Sequence, residues 1–174
     1  MGLERNHRNE IMLSDVPRLI FRNFSGRPDK YNREGDRNFG ILLDESWVAD
    51  MEESGYPVKY LKPHDEEDDP APWIKVKVNY NSQFPPTVIL VTSRGRTTLD
   101  SETVDLLDTA FISHADIVLN PYYYEVNGMK GYSMYLSRAY ITIEEDEFER
   151  KYGEIPDVSG EDSIQEEIDG PVFK

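Results

Sequence analysis

The chain has 174 residues, 38% of them hydrophobic, a length that supports one domain with a proper core plus tails rather than two domains. It contains no cysteine, so disulfide bonds and thiolate zinc sites are excluded. The formal net charge of −15, taken as a single total, argues against a nucleic-acid binder, because contacts with phosphates dominate that kind of affinity.

The negative charge is concentrated in two stretches of the chain. Residues 1–40 hold eight Arg and Lys against six Asp and Glu, and residues 73–143 hold six of each. Residues 41–72 hold two against ten, and residues 144–174 hold three against twelve. The segments with strand patterns are therefore neutral or slightly basic, and binding of nucleic acid stays open.

The first forty residues predict a leader and two strands. Residues 1–15 are polar and lack periodicity, which predicts a flexible leader, and neither a secretory signal nor an apolar run of membrane-spanning length is present. We therefore expect no membrane association and a cytoplasmic location. A strand is predicted over 17–24, with Leu19 and Phe21 on its core face and Arg18 and Arg22 on the other.

A turn-rich loop over 25–37 separates this strand from a second one, predicted over 38–43. The loop carries four cations and a tyrosine: Arg27, Lys30, Arg33, Arg37 and Tyr31. Its acids resemble a calcium loop in outline, but Tyr31 and Arg33 occupy positions that need oxygen ligands, so we expect no metal.

The next segment predicts a short helix and an acidic insertion. Asp44 is a predicted N-cap for a helix over 45–54, in which Trp47, Val48 and Met51 form an apolar stripe, and Gly55 ends the helix. A short strand is predicted over 56–61. Residues 62–72 contain five consecutive acids among prolines, which predicts a solvated insertion.

The clearest pattern is the strand at 73–80, because its side chains alternate between two kinds. One face is apolar and belongs to the core: Ile74, Val76, Val78 and Tyr80. The other face carries Trp73, Lys75, Lys77 and Asn79. An aromatic ring beside two cations is typical of a single-stranded nucleic-acid platform. A solvated strand face with Lys set against aggregation gives the same pattern, and both interpretations stay open.

Two further elements precede the last hairpin. Residues 87–92 are almost wholly apolar and predict a central strand that is buried on both faces. Arg94 and Arg96 flank Gly95 directly after it, at a point where backbone can approach a ligand. Asp100 is then the predicted cap of a second short helix ending at Ala110, with Val104, Leu107 and Phe111 on one face.

A long hairpin is predicted over 115–126 and 131–143 around Asn127-Gly128, the strongest short hairpin signal in the chain. Six tyrosines lie on its two arms: Tyr122, Tyr123, Tyr124, Tyr132, Tyr135 and Tyr140. Cross-strand aromatic pairing explains some of them. The ones near the turn are also candidates for contact with a ligand.

Beyond residue 143 the composition becomes acidic, and residues 153–174 predict a disordered tail. The tail ends with Asp169, Gly170, Pro171, Val172, Phe173 and Lys174. Acids followed by proline and a bulky apolar residue suggest a peptide that a partner protein captures. An acidic solubilising tail is the alternative, and it leaves Phe173 without a role.

The order of elements predicts a mainly β fold with minor α: an OB-fold-like, antiparallel five-stranded barrel with two short helices and a long C-terminal hairpin. Its expected domain is 16–152, including the 62–72 insertion. Four segments have a recognisable pattern: 18–24, 35–43, 79–80 and the acidic tail with its near-terminal Phe173. In these segments the chain resembles phage single-stranded DNA-binding proteins of the OB-fold type.

This resemblance implies non-sequence-specific binding and protection of single-stranded DNA in the host cytoplasm, without catalysis or cofactor. It also implies that the tail recruits phage or host replication and recombination proteins, with Asp169, Val172 and Phe173 as the candidate contacts. It further implies that the tail competes with DNA for the basic DNA-binding surface. A homodimer is left open. Lys174 departs from the family pattern, in which the aromatic residue ends the chain. The DNA-binding candidates are Arg18, Arg22, Arg27, Lys30, Tyr31, Arg33, Arg37, Trp73, Lys75, Lys77, Arg94, Arg96, Tyr122, Tyr124, Lys130 and Tyr132.

The sequence leaves two other classes of function as alternatives. An enzyme is disfavoured, since His7, His64 and His114 are scattered and no P-loop, nucleophile elbow or dinucleotide fingerprint is present. An acidic interaction or DNA-mimic protein, which binds a basic partner without contacting DNA, is favoured by the net charge. It is opposed by the clustering of cations with aromatic residues.

Overall fold

The computed structural model of the chain describes residues 2–63, 65 and 67–144. The described part holds ten strands and one α-helix, and residues Met1–Ile143 form a compact unit. The elements are β1 (Glu4–Arg5), β2 (Ile11–Leu13), β3 (Arg18–Asn23), β4 (Arg37–Leu42), α1 (Glu45–Glu53), β5 (Val58–Leu61), β6 (Ala71–Val78), β7 (Thr87–Thr92), β8 (Gly95–Leu99), a 3₁₀ helix (Val104–Asp108), β9 (Ile112–Val126) and β10 (Met129–Ile143).

The strands form one mixed sheet in the order β1-β2-β9-β10-β6-β4-β3. β10 runs parallel to β6 at one end and parallel to β7 further along. All other pairs, including β9 with β10, are antiparallel. Two strands extend the sheet off this path, since β5 pairs with β6 and β8 pairs with β7. The fold is thus mainly β, as the sequence predicts, with the long β9–β10 hairpin at its centre.

The hairpin turn has the geometry that its sequence predicts. Asn127 and Gly128 both have positive φ, at 53° and 81°, which is the requirement of a type I′ turn. The two strands pair from Met129 opposite Val126 to Ile143 opposite Ile112. The turn therefore sets the register of the longest strand pair in the sheet.

The predicted flexible leader is corrected by the structure. Residues Ile11–Leu13 form β2 and pair with β9, and Ile11 and Leu13 are 0% and 1% exposed. Met12 between them points outward, so a short alternating pattern hidden in a polar segment supplies two side chains to the core. The backbone N–H of Val16 then donates to the carbonyl of Ala115 at 3.0 Å, which keeps the chain against β9 up to the start of β3.

The second predicted helix is only a short 3₁₀ helix. Val104 and Leu107 are fully buried, as the pattern predicts, but Phe111 is 77% exposed. Arg22 donates from Nη1 to the carbonyls of Leu107 at 2.8 Å and Ala110 at 2.6 Å. The carbonyls at the end of the 3₁₀ helix thus accept hydrogen bonds from a side chain instead of from the next helical N–H groups, and the helix ends there.

The apolar strand over 87–92 is buried on one face only. Val88 and Leu90 are 0% and 9% exposed, whereas Ile89 and Val91 are half-buried. β7 lies between β10 and β8, so its backbone is paired on both edges although its second face is partly open. Pairing on both edges satisfies the backbone of β7 but does not cover its second face, so the expectation of burial on both faces was wrong.

The structure describes too little of the C-terminal region to test the predicted tail. The described residues end at Glu144, so the predicted end of the domain at residue 152 also lies outside them. The tail over 153–174, with Asp169, Val172 and Phe173, lies outside the described residues. Within the described part, no helix is both long and apolar enough to cross a membrane.

Candidate nucleic-acid interface

The alternation along β6 gives this strand two distinct faces. Ile74, Val76 and Val78 are buried at 0%, 0% and 5% exposure. On the opposite side Trp73 is half-buried, and Lys75 and Lys77 are exposed. The two-faced pattern predicted for this strand is therefore confirmed.

Neighbouring strands widen this surface, because residues directly opposite each other in a sheet share a face. Lys75 lies opposite Gly40 on β4, and Lys77 lies opposite Tyr135 on β10. Arg18 on β3 belongs to the same surface, since it lies opposite Leu42, which in turn lies opposite Trp73.

We call this surface the outer face. Its members are Arg18, Phe21, Lys59, Trp73, Lys75, Lys77, Tyr122, Tyr124 and Tyr135.

Trp73 is held at one end of the outer face by close neighbours. The ring of Phe21 meets it edge-on at a centroid distance of 5.1 Å and an angle of 68°. Lys59 places its Nζ 5.3 Å from the centroid of the Trp73 ring. A Cβ atom at Gly40 would lie 2.7 Å from Cε3 of Trp73, so the tryptophan ring lies across β4 only because residue 40 is glycine.

The outer face continues along the hairpin as a row of tyrosines. Lys77 places its Nζ 6.0 Å from the ring centroid of Tyr135, and that ring meets Tyr122 edge-on at 6.2 Å. Tyr124 lies two residues further along β9, opposite Gly131. A Cβ atom at Gly131 would come within 2.7 Å of Oη of Tyr124, so this glycine leaves room for the tyrosine side chain.

Tyr132 and Lys130, both predicted site residues, point to the other face of the hairpin. Tyr132 packs edge-on against Tyr123 at 5.4 Å and against the buried Tyr56 at 5.1 Å. Lys130 pairs with Glu125 at 3.4 Å. This second group connects the hairpin to the segment after α1, and the structure does not bring it together with the outer face.

The loop between β3 and β4 presents a separate set of predicted residues. Tyr31 is 89% exposed, and Nζ of Lys30 lies 5.6 Å from its ring centroid. Arg33 and Arg27 are also exposed, each near an acid: Arg33 lies 3.5 Å from Asp36, and Arg27 lies 3.7 Å from Asp108. The loop therefore offers one open ring and three cations to a ligand.

Asp108 of the 3₁₀ helix anchors the start of this loop. Its carboxylate accepts hydrogen bonds from the N–H of Phe24 at 2.5 Å and from Oγ of Ser25 at 2.7 Å. The buried Asn23 accepts from the N–H of Arg27 and donates to its carbonyl, at 2.8 and 3.0 Å. These polar contacts hold the base of the loop in a defined shape.

Two predicted cations are engaged in structural contacts instead. Arg22 is bound to the carbonyls at the end of the 3₁₀ helix, as described above. Arg37 donates to the carbonyl of Phe24 at 2.8 Å and lies 5.3 Å from the ring centroid of Tyr80. Burial raises the pKa of Tyr80, an effect that Arg37 opposes and Asp100 reinforces, so this phenol is neutral beneath the guanidinium.

Arg94 and Arg96 lie at the β7–β8 turn, and both are exposed. The guanidinium carbon of Arg96 lies 5.8 Å from the ring centroid of Tyr140. Arg138 and Tyr140 follow Tyr135 on β10 after a register shift between Leu136 and Arg138. Besides the outer face and the β3–β4 loop, the two arginines thus form a third group of cations, next to the part of β10 that follows the register shift.

Sequence reasoning missed Phe21, Lys59 and Tyr135 as members of the outer face. Tyr135 could have been found from the hairpin register, because counting back from Asn127-Gly128 places it on the same side as Tyr122. Lys59 required knowledge that β5 pairs with β6. Phe21 was assigned to the core with Leu19, and the structure places it outside at 60% exposure. In the described part of the chain, no group of three acidic, His or Cys side chains could hold a metal ion.

A family model described as a putative phage ssDNA-binding domain matches residues 2–173 of the chain. No curated protein matches the chain at a significant level.

Solved structures with a similar fold come from bacteriophage Enc34. Its single-stranded DNA-binding protein in complex with ssDNA has a TM-score of 0.52 and 12% sequence identity, covering 84% of this chain and 97% of that one. A C-terminal truncation of the Enc34 protein has a TM-score of 0.54 and 12% identity, covering 84% and 96%. The similarity in fold therefore extends over almost all of the phage protein's length.

Proposed function

Because the chain belongs to the family of putative phage ssDNA-binding domains, we propose that it binds single-stranded DNA through the outer face, with little preference for base sequence. The observation that carries this proposal is the row of rings and lysines from Trp73 through Lys77 and Tyr135 to Tyr122. The proposal involves no catalytic step and no cofactor.

The chemistry of the outer face suits a single strand. Every base has a π-face that can stack on an aromatic ring, and each stacked base contributes about 1–3 kcal/mol. Lys75 and Lys77 lie on the same side of β6 and can reach successive phosphates. Contacts of this kind read the backbone and the ring faces rather than base edges, so they are tolerant of sequence.

The loop over 25–36 and the hairpin lie at the ends of the strands that carry the outer face. In our proposal Tyr31, Lys30, Arg27 and Arg33 extend the binding track from the loop. Arg94 and Arg96 contact phosphates further along the DNA strand. An OB-fold binds oligonucleotides with an equivalent pair of loops and an equivalent strand face.

We propose the five-stranded OB arrangement as the fold's organising unit. β4, β6, β10 and β9 supply four of the strands, and the segment from β2 to β3 supplies the fifth by pairing with β9 at one end and β4 at the other. The hydrogen bond from Val16 to Ala115 lies between these two pairings. It supports closure of the sheet at that point.

The acidic segments have a separate role in this proposal. Residues 153–174 are proposed to recruit phage or host replication and recombination proteins through Asp169, Val172 and Phe173, in the cytoplasm of the host cell. As a negatively charged peptide, the tail also competes with DNA for the cations of the outer face. Deletion of 153–174 is therefore expected to tighten DNA binding.

Fluorescence anisotropy with a labelled oligo-dT at low salt tests the proposal. We expect binding that weakens as salt rises, similar affinity for mixed-sequence single strands, and a strong loss of affinity when Trp73→Ala is combined with Lys77→Ala. Thermal melting of the double variant checks that the fold is intact. Absence of any binding by the wild-type chain at low salt would overturn the proposal and favour the DNA-mimic alternative.

A further inference from the structure

Phe21 has a backbone conformation that is rare for a bulky residue. Its φ is +50°, in the left-handed region, where the Cβ of an L-residue crowds the following carbonyl. The other described non-glycine residues with positive φ are Asn9, Asp15 and Asn127, and Asn and Asp tolerate this region through local hydrogen bonds. Phe21 has no comparable compensation within its own side chain.

The unusual conformation moves the ring out of the core. The pairing of β3 with β4 is regular from Arg18 to Ile20 and resumes at Asn23, with a register shift between them. Leu19 and Asn23 are 6% and 7% exposed, whereas Phe21 is 60% exposed. In a regular strand Phe21 would share the buried face with Leu19 and Asn23, so the irregularity exchanges a buried phenyl ring for an exposed one.

Contacts on the C-terminal side hold this irregularity in place. Arg22 is bound to two carbonyls at the end of the 3₁₀ helix, and Asn23 is hydrogen-bonded to both backbone groups of Arg27. A strained residue persists when its surroundings determine its conformation, and such residues cluster at binding sites. The Phe21 ring itself lies outside the buried core, at 60% exposure.

The exposed ring forms a corner with Trp73. The two rings meet at 5.1 Å and 68°, an angle that lets a planar group stack on one ring while its edge contacts the other. Gly40 keeps the Trp73 ring low against β4, and the Nζ atom of Lys59 lies over that ring. The corner therefore offers two aromatic surfaces and one cation within a few ångströms.

We propose that Phe21 and Trp73 form a binding site for a single base of the DNA strand, with Lys59 contacting the adjacent phosphate, and that the irregularity in β3 exists to present the Phe21 ring. This inference rests on the proposed function and deepens it, because it assigns a base-stacking role to a residue whose pattern places it in the core.

Two substitutions at one position separate the ring from the backbone strain. Phe21→Ala removes the ring and keeps a Cβ at φ +50°, whereas Phe21→Gly removes both the ring and the steric conflict. Phe111→Ala is the control, since Phe111 is also a largely exposed phenylalanine, at 77% against 60% for Phe21, and is not a member of the outer face. Each protein is titrated with labelled oligo-dT by anisotropy and then melted without DNA.

We expect both Phe21 variants to bind oligo-dT about 5- to 150-fold more weakly than the wild type, the range expected for one stacked base. The control should retain its affinity. Phe21→Gly should melt roughly 2–4 °C above Phe21→Ala, because it relieves the strain. That combination, a gain in stability without recovery of binding, is the signature of a residue strained for its ligand.

Retention of wild-type affinity by either Phe21 variant would overturn the inference. So would a change in sedimentation coefficient without a change in DNA affinity, which would indicate that Phe21 contacts a second copy of the chain. If the Phe21 variants bind normally while Trp73→Ala with Lys77→Ala does not, the base corner fails and the proposed function stands. If the wild-type chain itself does not bind oligo-dT, both fail.

Discussion

Replacing Lys75 and Lys77 together by Gln should reduce the salt dependence of DNA binding without unfolding the protein. Both side chains are exposed on β6 and lie on the side opposite to the buried Ile74 and Val76. Their loss leaves the core unchanged and removes one cation–aromatic contact, between Lys77 and Tyr135. Contacts of that kind at exposed sites contribute about 0.5–1 kcal/mol, so only a small fall in melting temperature is expected.

The magnitude follows from counterion release. Each phosphate contact on a single strand contributes roughly −0.7 to the slope of log affinity against log salt concentration. If each lysine neutralises one phosphate, the double variant has a slope shallower by about 1.4. Between about 50 and 200 mM salt, a fourfold range, the ratio of wild-type to variant affinity should therefore shrink by about sevenfold.

Anisotropy titrations with oligo-dT at four or more salt concentrations measure this slope. Lys62→Gln is the control, because it removes one positive charge, half the change of the double variant, at an exposed position in the acidic insertion. We expect the control to keep the wild-type slope. An unchanged slope in the double variant would refute the assignment of these lysines to phosphates, and an equal change in the control would refute their special position.

Three further predictions concern the supports of the site and of the fold. Gly40→Ala should lift the Trp73 ring from β4, which costs about 1–3 kcal/mol of stability as overpacking, shifts tryptophan emission and weakens oligo-dT binding; unchanged emission would contradict this. Asp108→Ala should cost about 1–3 kcal/mol, seen as a lower urea midpoint, because Asp108 is the acceptor for N–H groups at the start of the loop; an unaltered midpoint would show that the loop does not depend on it. Burial opposes ionisation of Glu10, but hydrogen bonds from Ser137 and Asn6 hold its pKa below the ordinary 4.5. Its stabilising contribution is therefore present above about pH 4.5 and lost as pH falls through the lowered pKa, and Glu10→Gln should make the urea midpoint less sensitive to acid in that range.

The parts of the site that follow from local pattern were predictable. Strict alternation in β6 was enough to place Trp73, Lys75 and Lys77 on one side, because the side-chain period of a strand is two wherever its pairing is regular. Asn127-Gly128 was enough to locate the hairpin, because both residues tolerate the positive φ that a type I′ turn requires. The exposure of Tyr31 also agrees with its place in a turn-rich loop.

Assignments that depend on long-range partners were not predictable in the same way. Arg22 and Arg37 look like free cations in the sequence, but each donates to backbone carbonyls that are remote or across a loop. Residues 11–13 look like part of a polar leader in the sequence. Only their pairing with β9 in the structure shows where their two apolar side chains are buried. The pattern of one segment does not identify its hydrogen-bonding and packing partners in distant segments.

The sequence by itself determined the class of fold, the two-faced character of β6, the turn of the hairpin and the separation of acidic segments from neutral ones. The tertiary structure decided which tyrosines share a face with Trp73, which cations are engaged by carbonyls, and that Phe21 lies outside the core. The physical reason is that alternation assigns side chains to faces only while pairing stays regular. A register shift such as the one in β3 depends on contacts from the neighbouring strand and the 3₁₀ helix, and these exist only once the sheet has assembled.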